Sequence, residues 1–276
     1  MNICFLSMHK NEQELFPIWI DYYGKQFGYK NIRIFDNGSD DYMLAILKAA
    51  AKKGASVDFG FSTSEDFDKK GTIIANKIRK LDSKKVFDFY FPLDTDEFIG
   101  VKMEDGTISL EKEDIESELA QYVDSPDILM IHGGYDNHPS KKDTFVFKGG
   151  RKKCFFAQGA CKDLTTGFHR AKANSSDKII KTNIVHLHIH YKPFDILQSH
   201  AREKLKGRVA DFEAETLIKF KEDKGKGQHL VDYLLYKDED EYLSQFEQRF
   251  PVKKQYKIDA FSEKLNSLDI PTPYNL

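Results

Sequence analysis

The sequence predicts an α/β fold in which helices flank a mainly parallel, Rossmann-like sheet. Over roughly the first hundred of its 276 residues, four short apolar segments alternate with amphipathic segments of helical spacing. Polar clusters rich in Asp directly follow two of the apolar segments, at 36–41 and 94–97, which is typical of strand ends. In such a sheet ligands bind beyond the carboxyl ends of the strands. We therefore expect functional residues directly after the predicted strands.

The predicted elements follow in chain order. Residues 14–26 show the helical pattern clearly, because Leu15, Ile18, Trp19 and Tyr22 share one face. Strands are expected at 3–7, 31–35, 56–59, 86–93, 128–132 and 184–191, and helices at 14–26, 43–53 and 70–80. From residue 194 onward the pattern is charged and mostly helical, and there is no internal repeat.

Composition limits the class of protein. Lys+Arg 42 against Asp+Glu 44 gives a net charge of -2, so no overall basic field favours a nucleic acid. The three cysteines, Cys4, Cys154 and Cys161, have no metal-type spacing and predict free thiols in a reducing compartment. No segment approaches the roughly 20 apolar residues that span a bilayer. We expect a cytoplasmic protein with at most peripheral contact with the inner face of the cell membrane.

The strongest local signal is a group of acids after the predicted strand 86–93. Asp94, Asp96 and Glu97 fall within four positions. Three carboxylates at one strand end repel one another, so a cation is expected among them. Their oxygens suit Mg²⁺ or Mn²⁺, which readily share their coordination with substrate phosphates. The alternative is a solvated acidic turn, because Asp-x-Asp occurs by chance in many proteins.

A second signal is a run of alternating histidines in the predicted strand 184–191. The period of two in a strand puts His186, His188 and His190 on one face and apolar residues on the other. A neutral imidazole could complete the coordination of a cation held by Asp96. We choose His188 as the ligand, with His186 and His190 as the other candidates. The alternative is a half-exposed strand whose histidines bind no metal.

These features resemble the glycosyltransferase-A (GT-A) fold, and within it the family 2-like branch that carries an N-terminal Lys-Asn-Glu and a later Asp-x-Asp-Glu-Phe. The resemblance spans about residues 2–208, and Pro193 departs from it because relatives often have Ser there. The matching segments are Lys10-Asn11-Glu12, the turn Asp36-Asn37-Gly38-Ser39-Asp40-Asp41, Lys70-Gly71 with Asn76, Asp94-Thr95-Asp96-Glu97-Phe98 and Gly167-Phe168-His169.

The resemblance implies a role for each matching residue. Asp96 and His188 would ligate the cation that bridges the donor's two phosphates. Asp94 would be a further ligand or would contact the ribose or the cation's water shell, and Lys70 would add positive charge near the donor. The residues that would hold the nucleoside are Met8, Asn11, Glu12 and Asp36.

Two questions stay open at this point. Inversion at the anomeric carbon needs a carboxylate to accept the acceptor's proton, and the candidates are Asp136, Asp163 and Glu97. Asp136 and Asp163 are more often surface acids in such positions, and Glu97 could instead orient the metal ligands. The basic runs 151–153 and 202–208 are ordinarily solvated faces, although Lys204 could reach the diphosphate or an anionic acceptor.

The sequence thus predicts a metal-dependent, inverting glycosyltransferase of the hexosyltransferase type, with Mn²⁺ or Mg²⁺ as cofactor. It would move a sugar from a UDP- or GDP-type donor to a glycan or glycolipid acceptor in surface polysaccharide or lipopolysaccharide biosynthesis. We expect a GT-A domain at 1–208 and a C-terminal helical extension at 209–276. The alternatives are a metal-dependent phosphoesterase, a nucleotidyltransferase and a non-catalytic carbohydrate-binding protein.

Overall fold

The computed structural model describes residues 1–150, 152–225 and 227–275. The strands are β1 (Ile3–His9), β2 (Ile32–Asp36), β3 (Ser56–Asp58), β4 (Phe89–Pro92), β5 (Glu97–Lys102), β6 (Ile108–Ser109), β7 (Ile128–Met130), β8 (Gly134–Asn137), β9 (Thr144–Lys148), β10 (Cys154–Ala157), β11 (Cys161–Leu164), β12 (Ala171–Ala173), β13 (Ile179–Lys181), β14 (Ile184–His188) and β15 (Gln255–Lys257). The α-helices are α1 (Phe16–Tyr23), α2 (Asp41–Lys52), α3 (Ser64–Asp68), α4 (Lys70–Asp82), α5 (Lys112–Ala120), α6 (Phe194–Leu205), α7 (Ala214–Glu222), α8 (Val231–Leu235), α9 (Glu239–Arg249) and α10 (Ala260–Ser267).

A seven-stranded sheet forms the centre of the fold, in the order β13-β7-β10-β4-β1-β2-β3. The strands β4, β1, β2 and β3 are parallel, and β10 is antiparallel to both of its neighbours. All seven residues of β1 are buried because helices cover both faces of the sheet. Phe5 packs on the α1 and α2 side, whereas Leu6 packs on the α4 side. The predicted α/β class with a mainly parallel sheet is confirmed.

A six-stranded sheet, in the order β15-β9-β8-β14-β5-β6, adjoins the carboxyl end of β4. Its strand β5 begins within the acidic segment and pairs antiparallel with β14. On its other side β14 pairs parallel with β8. The register places His188 between Glu97 and Asp136. The predicted strand 184–191 is therefore real but ends at His188, so His190 lies beyond it.

Helix α1 fixes the position of β5. The Tyr22 hydroxyl donates to the carbonyl of Ile99 at 2.7 Å, and the Tyr23 hydroxyl accepts from the Ile99 amide at 2.9 Å. The Tyr23 hydroxyl also lies 3.0 Å from the carbonyl oxygen of Glu97, to which it donates. Both tyrosines are fully buried with Trp19, which supplied the helical pattern in the sequence. A buried helix thus holds the backbone that carries the acidic cluster.

The described residues between 209 and 275 lie mostly in helices, but they also contribute a strand. Strand β15 pairs antiparallel with β9 and so extends the six-stranded sheet. The ring of Phe261 in α10 lies 5.2 Å from that of Phe98 and 6.1 Å from that of Phe145, centroid to centroid. The end of this segment therefore packs into the main hydrophobic core.

Two further expectations concern cysteines and membranes. Cys4, Cys154 and Cys161 are free and buried. None of the helices in the described part of the chain is long and apolar enough to cross a membrane.

Candidate active site

The carboxyl ends of β1, β2 and β4 lie at one edge of the central sheet. Strand β1 lies between β2 and β4 and is parallel to both, with His9 opposite Asp36 in the register. The chain leaves β4 at Pro92 and reaches Asp94 two residues later. The acids after β4 and the turn after β2 are therefore neighbours of the β1 loop, as the strand pattern predicts.

Two buried lysines hold Asp94. Lys70 Nζ lies 2.7 Å from its Oδ1, and Lys153 Nζ lies 2.6 Å from its Oδ2. Lys153 Nζ also lies 3.0 Å from Oε1 of Glu97. Burial opposes ionisation of Asp94, but the two ammonium groups outweigh it and hold the pKa of Asp94 well below its ordinary value. The two lysines thus supply positive charge beside Asp94, where the sequence led us to expect a metal ion.

The imidazole of His188 lies between the carboxylates of Asp96 and Asp136. His188 Nε2 lies 3.3 Å from Oδ2 of Asp96, and its Nδ1 lies 3.1 Å from Oδ1 of Asp136. Burial alone would lower the pKa of His188, but the two carboxylates raise it to about 10. Asp96 Oδ1 is buried, and among the described residues it has no hydrogen-bond partner. One oxygen of Asp96 therefore remains available to a ligand.

Residues with metal-binding potential surround His188. Glu97, His186 and His188 each offer an atom within 4.8 Å of the others, and all three are buried. His188 Nε2 also faces Asp96, whose side chain is 27% exposed. Asp96 is more exposed than Glu97, His186 or His188, so a cation held by Asp96 and His188 would be the more accessible to a ligand in the cleft. His190 lies further along, with its ring centroid 5.0 Å from that of His188.

The side chains of Asp96 and His188 suit a divalent cation. An imidazole whose second nitrogen is fixed by a buried carboxylate is a common metal ligand, and here Asp136 is that carboxylate. The unpartnered Oδ1 of Asp96 adds an oxygen ligand. Asp94 is 35% exposed, but both of its oxygens already bind lysines. Asp96 and His188 are thus better placed than Asp94 to contact the metal.

The residues predicted to hold the nucleoside lie in two joined loops. The Asn11 backbone amide donates to Ser39 Oγ at 3.1 Å, and its side-chain oxygen accepts from the Asp40 amide at 2.9 Å. Asp36 is buried and accepts from the amides of Gly38 and Ser39 at 3.2 Å. Its carboxylate therefore shapes the turn, where Gly38 has a φ of 76°.

Two other predicted contacts lie at different depths. Met8 is buried in the core on the α4 side, which leaves its backbone rather than its side chain for a ligand. Glu12 is at the cleft, where its carboxylate lies 3.1 Å from Lys192 Nζ and 3.9 Å from Lys204 Nζ. Helix α6 therefore brings Lys204 to the loop after β1, although more than 190 residues separate the two in sequence.

The candidate catalytic bases differ sharply in exposure. The expectation that Asp136 is a surface acid is wrong, because it is fully buried and its Oδ2 lies 2.8 Å from Lys148 Nζ. Glu97 is buried as well, and its Oε2 accepts from the Asp94 amide at 3.0 Å. Burial raises the pKa of Glu97 despite the attraction of Lys153. Asp163 is half-exposed on β11.

Lys153 belongs to the site but was not predicted from the sequence. The run 151–153 was interpreted as a solvated face, and this is wrong for Lys153, which is buried; Arg151 lies outside the described residues. Phe168 explains the position of Lys153, because its buried ring lies 5.1 Å from Lys153 Nζ and 4.8 Å from Lys70 Nζ. The Gly-x-His segment thus supplies the surface on which both lysines rest. In the sequence, the only indication that Lys153 is buried is the apolar segment that directly follows the basic run.

Two more residues reach this edge. His9 ends β1 and is buried with its ring 4.7 Å from that of Phe16, and neither of its ring nitrogens has a hydrogen-bond partner among the described residues. Burial lowers the pKa of His9 to about 4, so the ring is neutral at pH 7. Burial raises the pKa of Tyr274, and Glu14, Glu12 and Asp96 raise it further, which places its hydroxyl near the same acids.

Comparisons with known proteins add solved structures of low similarity. The sequence matches no protein-family model and no curated protein. A crystal structure of S. aureus TarS is 14% identical, with a TM-score of 0.39 over 74% of this chain and 40% of that chain. TarS residues 1–349 in complex with UDP is 16% identical, with a TM-score of 0.34 over 52% and 39%. A cytidylyltransferase from Leptospira borgpetersenii is 10% identical, with a TM-score of 0.30 over 57% and 61%.

This chain spans about two fifths of the length of the two TarS chains. Similarities of this size establish no family membership.

Proposed function

We propose that the chain is a glycosyltransferase that binds a nucleotide-sugar donor with the help of a divalent cation. The observation that carries this proposal is the pair Asp96 and His188, which face each other across 3.3 Å at the carboxyl edge of the sheet. Asp136 holds the far nitrogen of His188, so the imidazole is oriented before any ligand arrives. The resemblance of the surrounding motifs to family 2-like glycosyltransferases supports the same function.

The nature of the ligands favours one cation. Mg²⁺ prefers oxygen ligands throughout, whereas an imidazole beside a carboxylate is well tolerated by Mn²⁺. We therefore propose Mn²⁺ as the cofactor, with Mg²⁺ as a weaker substitute. When bound, this ion would offset the charge that develops on the departing nucleoside diphosphate.

Lysines supply further positive charge at the cleft. Lys70 and Lys153 flank Asp94, and Lys192 and Lys204 flank Glu12. A diphosphate bound beside Asp94 and Glu12 would lie in the field of these ammonium groups, which are already held in place, so little reorganisation is needed at the moment of reaction. Lys204 is 58% exposed and is the most accessible of these four lysines for a direct phosphate contact.

In the transfer the bond between the anomeric carbon and the diphosphate oxygen breaks as the acceptor oxygen bonds to that carbon. The acceptor's hydroxyl proton must pass to a base. Because Asp136 and Glu97 are buried and paired, we propose that they position His188 and Asp94 rather than accept this proton. Asp163 remains the half-exposed candidate for the base.

The finer assignment rests on the motif resemblance. We propose an inverting transfer of a hexose from a UDP- or GDP-type donor to a glycan or glycolipid of a surface polysaccharide or lipopolysaccharide. The reaction would take place in the cytoplasm or at the inner face of the cell membrane. Met8, Asn11, Glu12 and Asp36 would hold the nucleoside, mainly through the shape of the two loops that they join.

A thermal-shift panel of UDP- and GDP-sugars, with MnCl₂ or with EDTA, tests the proposal. We expect one donor to raise the melting temperature only with Mn²⁺, because a ligand that binds the folded state alone stabilises it. Asp96→Asn should abolish this shift, whereas Asp177→Asn, at an exposed position away from the cleft, should retain it. An equal shift in EDTA, or a full shift in Asp96→Asn, would refute the cation role.

The products distinguish the reaction classes. A glycosyltransferase releases a nucleoside diphosphate and glycosylates an acceptor, whereas a phosphoesterase releases orthophosphate and a nucleotidyltransferase consumes or releases pyrophosphate. Donor binding without any of these products would instead support a non-catalytic carbohydrate-binding protein.

A further inference from the structure

A second cavity lies between the C-terminal helices and the ends of β9 and β14. Its volume is about 390 Å³, which is large enough for one or two sugar rings. Its floor consists of buried rings and its rim of half-buried rings. These rings belong to Tyr191, Tyr242 and Phe246 on the floor, and to Tyr233, Tyr236 and Phe250 on the rim.

The rings present both faces and edges to the cavity. Tyr191 and Phe246 meet at 4.8 Å with their planes at 85°, and Tyr236 lies 5.8 Å from Tyr242. Sugars bind such rings because their C–H faces are apolar while their hydroxyls require polar partners. Tyrosine offers both properties in one side chain. Gln245 and Asp232 add further polar groups to the lining.

Two charged basic side chains line the cavity, those of Lys148 and Arg249. His190 and His229 add imidazoles, and the one carboxylate among the named lining residues is that of Asp232. The Arg249 guanidinium lies 5.3 Å from the ring of Phe250 and is exposed at the rim. A guanidinium and an ammonium beside aromatic rings suit a phosphate or carboxylate group on the ligand.

The cavity adjoins the residues around His188, one of the two proposed cation ligands. Lys148 Nζ lies 3.0 Å from the Tyr191 hydroxyl in the cavity and 2.8 Å from Asp136, which holds His188. Tyr233 Oη lies 3.4 Å from His190 Nε2, and the rings of His190 and His188 are 5.0 Å apart. Donor and acceptor must meet with their reacting atoms about 3–3.5 Å apart. A ligand in this cavity lies beside the proposed donor site.

We propose that this cavity binds the acceptor, a saccharide that carries a phosphate or carboxylate group. The inference rests on the proposed function, since it identifies the second substrate of the same reaction. Tyr236 provides a stacking surface, and Arg249 recognises the anionic group. The C-terminal helices thus select the acceptor, whereas the sheet edge binds the donor.

Binding of defined saccharides to the full chain tests the inference. The probes are trigalacturonate, mannose 6-phosphate and neutral maltotriose, measured by saturation-transfer NMR and calorimetry. We expect at least one anionic probe to bind more tightly than maltotriose. Tyr236→Ala should weaken that probe about tenfold, as truncation of an aromatic anchor does. Arg249→Gln should reduce the preference for the anionic probe over maltotriose.

Tyr256→Ala serves as the matched control, because Tyr256 is half-exposed on β15 and lies outside this cavity. Its binding should equal that of the unmodified chain. Failure of every probe at millimolar concentration, or equal binding by Tyr236→Ala and the unmodified chain, would overturn the inference. The Mn²⁺-dependent donor shift separates the two proposals. If the donor shift persists when the saccharide tests fail, only the acceptor site is wrong. If the donor shift is absent as well, the proposed function fails.

Discussion

Lys153 Nζ lies 2.6 Å from Asp94 Oδ2, deep enough in the fold that solvent hardly reaches the ammonium group. The same nitrogen lies 3.0 Å from Glu97, so one buried cation joins two of the three clustered acids. The repulsion among these acids therefore does not by itself require a metal ion. Asp96 and His188 instead favour a cation, because Asp96 Oδ1 has no hydrogen-bond partner among the described residues and the imidazole of His188 is oriented by Asp136.

Lys153→Met should destabilise the protein strongly. It leaves the carboxylates of Asp94 and Glu97 without their shared partner, and breaking a buried pair in this way typically costs about 3–5 kcal/mol. The loss should be smaller at pH 5 than at pH 7. The pKa of Glu97 is already raised in the folded state and would rise further, so protonation on acidification stabilises the variant more than the unmodified chain.

Urea unfolding at the two pH values measures both effects. Lys152→Met is the control, since Lys152 is the less buried neighbour in the same basic run. A loss of stability that is equal at pH 5 and pH 7 would contradict the assigned pairing.

Asp136→Asn should weaken Mn²⁺ binding about 10- to 100-fold, as removal of the carboxylate behind a ligating histidine usually does. The amide can still fill the space but no longer fixes the Nδ1 proton of His188 as a carboxylate does. Titration of Mn²⁺ followed by electron paramagnetic resonance measures the affinity, and circular dichroism checks folding. His186→Asn tests the alternative cluster of Glu97, His186 and His188, and we expect it to retain most of the affinity. If His186→Asn loses more affinity than Asp136→Asn, the ion binds to that cluster instead.

Glu247→Gln should change the acid stability of the protein. Glu247 accepts a hydrogen bond from Lys141 and contacts His138 Nε2 at 3.0 Å, and these contacts, Lys141 above all, lower the pKa of Glu247 from 4.5 to about 2. A depressed folded pKa stabilises the protein above the unfolded value, and this contribution is lost as the pH falls from about 4.5 through about 2.

The variant should therefore be less stable than the unmodified chain at pH 7, by about 1 kcal/mol or less because Glu247 is partly exposed. The difference should disappear near pH 2. Melting temperatures across this range measure it, with Glu203→Gln, at an exposed position, as the control. A difference that stays constant with pH would rule out this linkage.

Phe261→Ala should cost about 3–5 kcal/mol, the usual range for removal of a buried aromatic ring. Phe261 is fully buried between Phe98 and Phe145, so its loss leaves a cavity between α10 and the six-stranded sheet. Val252→Ala, at a highly exposed position in the same segment, should have little effect. Chemical unfolding measures both.

The same packing predicts that residues 1–208 do not fold stably alone, because β15 and α10 would be missing from the sheet and the core. A cooperative unfolding transition for that fragment, with stability like that of the full chain, would show instead that 209–276 is a separate extension.

Local patterns in the sequence predicted those parts of the fold that depend on neighbours along the chain. The apolar segments located the parallel strands, and the polar clusters located the acids at their carboxyl ends. Strand 86–93 proved shorter, spanning Phe89–Pro92, because its pairing with β1 runs only from Phe89 opposite Ile3 to Pro92 opposite Leu6. Strands β8 to β13 were not predicted. They are short, and β8 contains the polar residues Asp136 and Asn137, which are buried because the six-stranded sheet forms around them.

The sequence by itself determined that acids would gather at one edge of an α/β sheet, since strands that alternate with helices along the chain run parallel and end at the same edge. Tertiary structure alone decided which of them meet. His188 rather than His186 or His190 faces Asp96, because antiparallel pairing with β5 and parallel pairing with β8 set its position. Lys153 reaches Asp94 because β10 runs beside β4. Such pairings depend on strand register across many residues, which spacing along one chain does not reveal.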